Sequence, residues 1–389
     1  MTKIAHQPEM VPAPYVDEKS ITIDNPEELD RIPQSRPPAW VWALVLVGSI
    51  IALMVILVAS GARQLYMGAF ILFPMMIISM VMMLRNRGDK SKRPAQMNQR
   101  RADYTRKLDE QRASLHEDAL AQAREIAYHH PDPRNGSLLT LVGSHRMHER
   151  GPDKYNFGHV RMGVGFTRIK TTIVPPEHVP PEEVRETVTA VAARYFLLSQ
   201  NVIHDVARPL HLWDEPGWAI FCERDDQRPV VQGWLRALIS QLAVFHSPGT
   251  NDSESDGGVR LAIISDDEQA WEAAKWLPHT ADPEFVDASG PARLIFRDVE
   301  GFMERFGDEL AARPIHVRRE QGTQDPGSWL VVVVDCPGAS CAEILGESGK
   351  LGVSVIEATG DESSILANPR TAFFLDEEGN LLRASAEVR

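Results

Sequence analysis

Two apolar runs with a five-residue break between them constrain this chain more than any other feature. Residues 40–59 carry no charged side chain, Ser60, Gly61, Ala62, Arg63 and Gln64 interrupt the pattern, and residues 65–84 are again uncharged. At ~1.5 Å of rise per residue, each run has the reach of a ~30 Å hydrocarbon core. A buried hairpin in a soluble core would instead need apolar partners on every side of both helices. The sequence therefore predicts a two-helix transmembrane hairpin over residues 39–85.

Charge gives the expected orientation. Arg85, Arg87, Lys90, Lys92, Arg93, Arg100 and Arg101 follow the second run against the single acid Asp89, whereas the break carries only Arg63. The positive-inside rule then places both termini in the cytoplasm and the chain in the inner (cytoplasmic) membrane with two spans. A cleaved signal peptide is disfavoured, because the apolar region starts late, is too long and is followed at once by a second run. Gly48 and Ala52, four apart, offer a close-approach face to another helix, and Pro74 removes one backbone donor from the second span. Neither run contains the ionisable residue that an ion path needs. Packing against lipid and neighbouring helices is what remains.

A net charge of −13 lies against a nucleic-acid-binding surface. Cys222, Cys336 and Cys341 are too few and too irregular for a disulfide framework or a zinc site, so no metal is expected. Residues 1–38, polar and rich in proline, read as a flexible cytoplasmic tail. The Ser20-Ile21-Thr22-Ile23 alternation within it is too short to claim as a strand. Residues 97–128 lack Gly and Pro, and Tyr104, Leu108 and Leu115 repeat at helical spacing. Residues 86–130 thus form a basic juxtamembrane segment and a long stalk helix, whose narrow apolar stripe, interrupted by Gln111 and Gln122, fits one neighbour.

From residue 131 to the end, strand and helix patterns alternate. Strands are predicted over 137–143, 160–165, 167–174, 210–213, 218–222, 259–264, 293–296, 329–335, 353–358 and 371–375. Helices are predicted over 181–204, 229–245, 267–275 and 299–312. Such alternation implies an α/β fold with a mainly parallel sheet. Val331, Val332, Val333 and Val334 end in Asp335, the form of a Walker B strand whose acid reaches a nucleotide's magnesium. The partner motif is missing. At the only suitable strand–helix junction, residues 222–229, there is no glycine and no Lys-Ser/Thr pair, and three carboxylates would repel phosphate. His204, His246 and His279 are scattered in sequence, so no catalytic residue is assigned and Asp335 stands as a degenerate Walker B-like acid.

Three word-like segments point further. Arg150-Gly-Pro-Asp153 with Asn156, Phe157, Val160, Arg161, Gly163 and Gly165 is the first. Trp234-Leu-Arg236 with Gln241 and His246-Ser247-Pro248 is the second, and Trp271 with Trp276-Leu277-Pro278-His279 the third. Together they resemble the N-terminal part of EccC-type FtsK/SpoIIIE-like ATPases of type VII (ESX) secretion systems. Met147-His148 and Ala273 depart from the usual words. The resemblance implies a membrane anchor, a stalk and a degenerate P-loop NTPase-like domain without cofactor, with ATP and magnesium bound only by FtsK-like modules beyond Arg389 or on another chain. It further implies anchoring and coupling of those modules for protein export, with EccB, EccD, EccE, further EccC copies and the lipid bilayer as partners. The stalk would dock on the ubiquitin-like domain of EccD. A self-sufficient ATPase and an FtsK-like DNA translocase are the alternatives.

Overall fold

A computed structural model describes residues 12–29, 92–222, 224–249, 258–317, 328–360 and 369–383, together with Val47, Gly48, Ile51, Val55 and Ala59. Among them no helix is long and apolar enough to cross a membrane. That overturns the transmembrane hairpin as part of the fold, and with it the two-span membrane placement. Run length and hydropathy give only the reach that a helix would have. The longest described helix, Lys92–His129, is strongly polar, so its length brings no apolar belt to lipid. Nearly all of residues 39–85, Ala52 and Pro74 included, lie outside the described residues. Gly48 lies within them, helical and exposed, with open space where a β-carbon would stand.

In chain order the α-helices are α1 (Lys92–His129), α2 (Ser137–Leu141), α3 (Thr187–Ser199), α4 (Arg228–Phe245), α5 (Val299–Ala312) and α6 (Ala342–Leu345). The strands are β1 (Ser20–Thr22), β2 (His159–Arg168), β3 (Thr172–Val174), β4 (Val202–His211), β5 (Gly217–Cys222), β6 (Val259–Ser265) and β7 (Ala281–Asp287). They continue with β8 (Gly290–Arg293), β9 (Ile295–Phe296), β10 (Trp329–Asp335), β11 (Val353–Glu357), β12 (Ala372–Leu375) and β13 (Leu381–Arg383). The chain divides into two compact units, one of Met1–Tyr15, Ala121–Thr167 and Ile203–Arg389, the other of Val16–Leu120 and Arg168–Val202.

In the smaller unit β1 pairs in parallel with β3, Ile21 opposite Ile173. The tail is therefore not featureless. Its weak alternation becomes a strand because Ile23, just beyond it, is buried among Tyr104, Leu108 and Leu115 of α1 and Ala193 and Phe196 of α3. Gln111, an interruption of the stripe in sequence, donates to the Thr22 carbonyl at 3.1 Å. The Tyr104 hydroxyl donates to the Asp24 carbonyl, and burial, with Asp24 and Glu27 nearby, pushes its pKa up to about 12. Helix α3 starts at Thr187 rather than residue 181. Glu186 caps it, accepting from the amides of Val188 (3.2 Å) and Thr189 (2.7 Å), with Arg101 at 2.8 Å on the same carboxylate.

The larger unit is built on a seven-stranded sheet in the order β13-β12-β5-β11-β10-β6-β9, parallel except for the β12/β13 pair. Every residue of β10 is buried, because alternate side chains enter two different cores. Val331 and Val333 face α4 with Leu235, Leu238 and Leu242. Leu330, Val332 and Val334 face Phe302, Phe306 and Leu310 of α5. A continuous aliphatic run is what such a two-sided position requires. Elsewhere the expected boundaries shift. Residues 137–143 give the short helix α2 rather than a strand, the region 201–213 is mostly β4, and the helix expected over 267–275 is only a 3₁₀ turn, Glu272–Trp276.

Candidate functional site

Leaving aside the two-residue edge strand β9, the five parallel strands read 5-1-4-3-2 across the sheet by order of appearance. The loop after β5 and the end of β10 thus share the carboxyl edge with one strand, β11, between them. Ligands of open α/β sheets bind at such an edge. Here it holds Asp335, with no exposed surface at all.

Both oxygens of Asp335 are occupied by side chains of its own unit. Arg228, the first residue of α4, donates Nε to Oδ1 at 3.1 Å and Nη2 to the Asp335 carbonyl at 3.0 Å. Gln232, one turn on, donates to Oδ2 at 2.9 Å, as does the Trp271 indole at 2.9 Å, and the Ser265 hydroxyl lies 3.2 Å away. The same guanidinium also holds Asp266. Burial works against the charge on Arg228, but hydrogen bonds to Asp266 and Asp335 outweigh it and raise its pKa. A charge-assisted pair with further neutral donors is the arrangement that makes a buried carboxylate tolerable. Chemically, the acid can take a cation only by giving up its donors.

The loop that precedes α4 is equally committed. Arg224 forks onto Asp226, Gln227 donates to the Asp376 carbonyl at 2.7 Å, and α4 has no side-chain cap at its N-terminus. Among the described residues, no group of His, Cys, Asp or Glu is placed to hold a metal ion.

Two findings escaped the sequence. Trp271 is buried as a donor to Asp335, whereas Trp276 of the same word is 83% exposed. Two of the scattered histidines, His246 and His279, also meet, whereas His204 lies against Phe166. His279 Nε2 lies 2.8 Å from the His246 carbonyl, His148 sits edge-on to His279, and the Gly158 amide donates to His246 Nε2 at 3.0 Å. Burial lowers the His246 pKa to about 3 and that of His279 to about 4. Arg150 is buried nearby over the Phe245 ring and donates to the carbonyls of His129 and His159. The helix positions Tyr104, Leu108 and Leu115 come together, but in the core of the smaller unit.

No family model matches the chain. Over 362 residues, 90% of this chain and 25% of the relative, it is 31% identical to the ESX-5 secretion system protein EccC5 of Mycobacterium marinum. It is 30% identical over 360 residues, 89% of the chain and 24% of the relative, to EccC5 of Mycobacterium tuberculosis. Among solved structures, the cytoplasmic domain of the Thermomonospora curvata type VII secretion ATPase EccC aligns at 16% identity with a TM-score of 0.30, covering 46% of this chain and 21% of that one. The chain spans about a quarter of the length of these curated relatives.

Proposed function

Given that the chain belongs to the EccC family of type VII (ESX) secretion ATPases, we propose that the part described here is a module that does not hydrolyse nucleotide. It couples FtsK-like ATPase modules, carried elsewhere in EccC, to the rest of the secretion complex. One observation carries this reading: the carboxylate that would serve magnesium is saturated by Arg228, Gln232, Trp271 and Ser265. A loop without glycine before α4 supports it, because backbone amides there have no means of closing around a phosphate. ATP and magnesium belong to the other modules, and EccB, EccD, EccE and further EccC copies are the proposed partners.

Calorimetric titration of ATP·Mg into the full chain tests the module. No saturable heat is expected in the micromolar range. Micromolar binding that disappears in Asp335→Asn, with the variant still folded by circular dichroism, would overturn the proposal in favour of a self-sufficient ATPase. Co-purification tests the coupling role. A complex with the other Ecc subunits that forms as well without residues 92–129 as with them would remove α1 as the coupling element.

A further inference from the structure

Residues 19–29 lie along α1 as a bound peptide would, running opposite to the helix. Lys19 pairs with Asp118 at 3.2 Å, and Gln111 donates to the Thr22 carbonyl at 3.1 Å. Lys107 donates to the Asp24 carboxylate at 2.8 Å, the Tyr104 hydroxyl to the Asp24 carbonyl at 3.0 Å, and Arg100 lies 4.0 Å from Glu27. Positions 118, 111, 107, 104 and 100 recur at the spacing of one helix face. The lengths agree too: the helix rises ~27 Å from Arg100 to Asp118, and an extended chain covers ~26 Å from Lys19 to Glu27. The segment's other side is held by backbone. The Thr172 amide donates to the Lys19 carbonyl at 2.7 Å, the Ile23 amide to the Val174 carbonyl at 3.1 Å and the Leu29 amide to the Val184 carbonyl at 2.7 Å. The Glu186 amide donates to the Glu27 carbonyl at 3.0 Å, just ahead of α3.

We propose that residues 19–29 are a detachable latch, a peptide ligand carried on the chain itself that fastens α1 to β3 and to the start of α3. The groove it occupies recognises an extended segment with an aliphatic anchor, a proline and acids placed to meet Lys107 and Arg100. This device goes beyond the coupling role proposed above and does not rest on it. Backbone pairing on one side with a few side-chain anchors is how an extended peptide adds to a sheet edge. The hold is slight for a segment of this length. Within it only Ile23 and Pro26 are buried, and the sheet it joins has two strands, a ribbon that is marginal by itself. The ion pairs set direction and register more than they bind, since Lys107 and Asp24 are 63% and 55% exposed. Release also leaves a core behind, because Tyr104, Leu108 and Leu115 of α1 still share one with Ala193 and Phe196 of α3. Residues 30–91 separate the latch from α1, and the effective concentration of a tethered ligand falls as its tether lengthens.

Fluorescence anisotropy of a labelled peptide of residues 16–29, titrated with the full chain, tests the latch. A full chain carrying Ile23→Asp has its own latch disarmed and should bind the peptide at least about tenfold more tightly than the wild-type chain, whose latch competes. The peptide carrying Ile23→Asp should bind neither chain. Equal binding to the two chains, or no binding to an Ile23→Asp chain that circular dichroism shows to be folded, overturns the proposal. Hydrogen exchange of the wild-type chain reads the same release without any substitution, and decides the matter if Ile23→Asp costs the unit its fold. The amides of Ile23, Leu29 and Thr172 should exchange together, at least about tenfold faster than those of α1 between Tyr104 and Leu115. A single rate for latch and helix would make the segment an integral part of the core and sink the proposal.

Discussion

Each unit holds a buried carboxylate paired with an arginine, Asp335 with Arg228 in the larger and Glu186 with Arg101 in the smaller, and the two pairs are built to fail differently. In the larger unit Asp335 has no exposed surface and Arg228 is 30% exposed; in the smaller, Glu186 is 2% exposed and Arg101 is 37% exposed. Asp335 stands at a strand end where its other donors are neutral side chains. Glu186 stands at a helix N-terminus, where two backbone amides and the helix dipole hold its charge without help. The arginine is essential to the first carboxylate and auxiliary to the second.

The largest effect should follow from removing Arg228. Arg228→Ala leaves a fully buried carboxylate without a cation, a situation that costs about 3–5 kcal/mol. Urea unfolding followed by tryptophan fluorescence reports on it, since Trp213, Trp218, Trp234, Trp271, Trp276 and Trp329 all lie in the larger unit. Arg101→Ala should cost about 1 kcal/mol or less, the range of an exposed ion pair. Equal losses at the two arginines would break the contrast.

Acid should separate the units next. A buried neutral histidine resists protonation, so its folded pKa lies below its unfolded value near 6.5, and it contributes stability that is complete above ~6.5 and lost as pH falls towards the folded value. With His246 lowered to about 3, the larger unit should lose roughly 2 kcal/mol by pH 5. Arg150, His279 and His148 face His246 with positive charge or potential for it, so no carboxylate compensates. Burial would raise the pKa of Glu186, but the Thr189 and Val188 amides and Arg101 hold it below the usual range, so its contribution persists until the pH drops through the ordinary glutamate range near 4.3. Hydrogen exchange at pH 7, 6 and 5 should therefore show β6 and β10 losing protection while α3 keeps it. His246→Phe should flatten that dependence.

Helix capping gives a smaller term. Glu186→Ala removes the acceptor for the Val188 and Thr189 amides and should cost about 1–2 kcal/mol. Exchange at the first turn of α3 reads it directly, and an unchanged first turn would mean that another acceptor, such as the upstream Glu182 or Glu183, takes over.

How much of this was legible in the sequence follows from what kind of contact fixes each element. The run Val331 to Val334 announces a strand buried on both faces, and α5 matches its expected bounds at both ends, because periodicity alone specifies them. Strand β1 was legible only as four alternating residues, since what makes it a strand is β3, about 150 residues later in the chain. At the site, Asp335 and the failed phosphate loop were both visible. The plug between them was not, because Arg228 to Asp335 is a contact across 107 residues and nothing local marks an arginine as a partner. The start of α4 offered the one available signal: an arginine stands at the head of the helix where a phosphate-binding loop would place its cation. The histidines stayed invisible for the same reason, their neighbourhood being set by the turn at Pro278 and the end of α4.

The smallest effect is expected at Trp276, in a contrast that divides one sequence word between core and surface. Trp271 and Trp276 are five residues apart on a 3₁₀ turn rather than an α-helix, and the turn sends one indole to Asp335 and the other to solvent. Trp271→Phe keeps the ring volume approximately but strips Asp335 of a donor within its buried cluster, so it should destabilise by about 1–3 kcal/mol. Trp276→Ala deletes a side chain that the larger unit does not bury, and should change stability by less than about 0.5 kcal/mol. Thermal unfolding of the two variants makes the comparison. If Trp276→Ala proved as costly as Trp271→Phe, the exposed indole would have to be packed in solution, and the division of the word would fail with it.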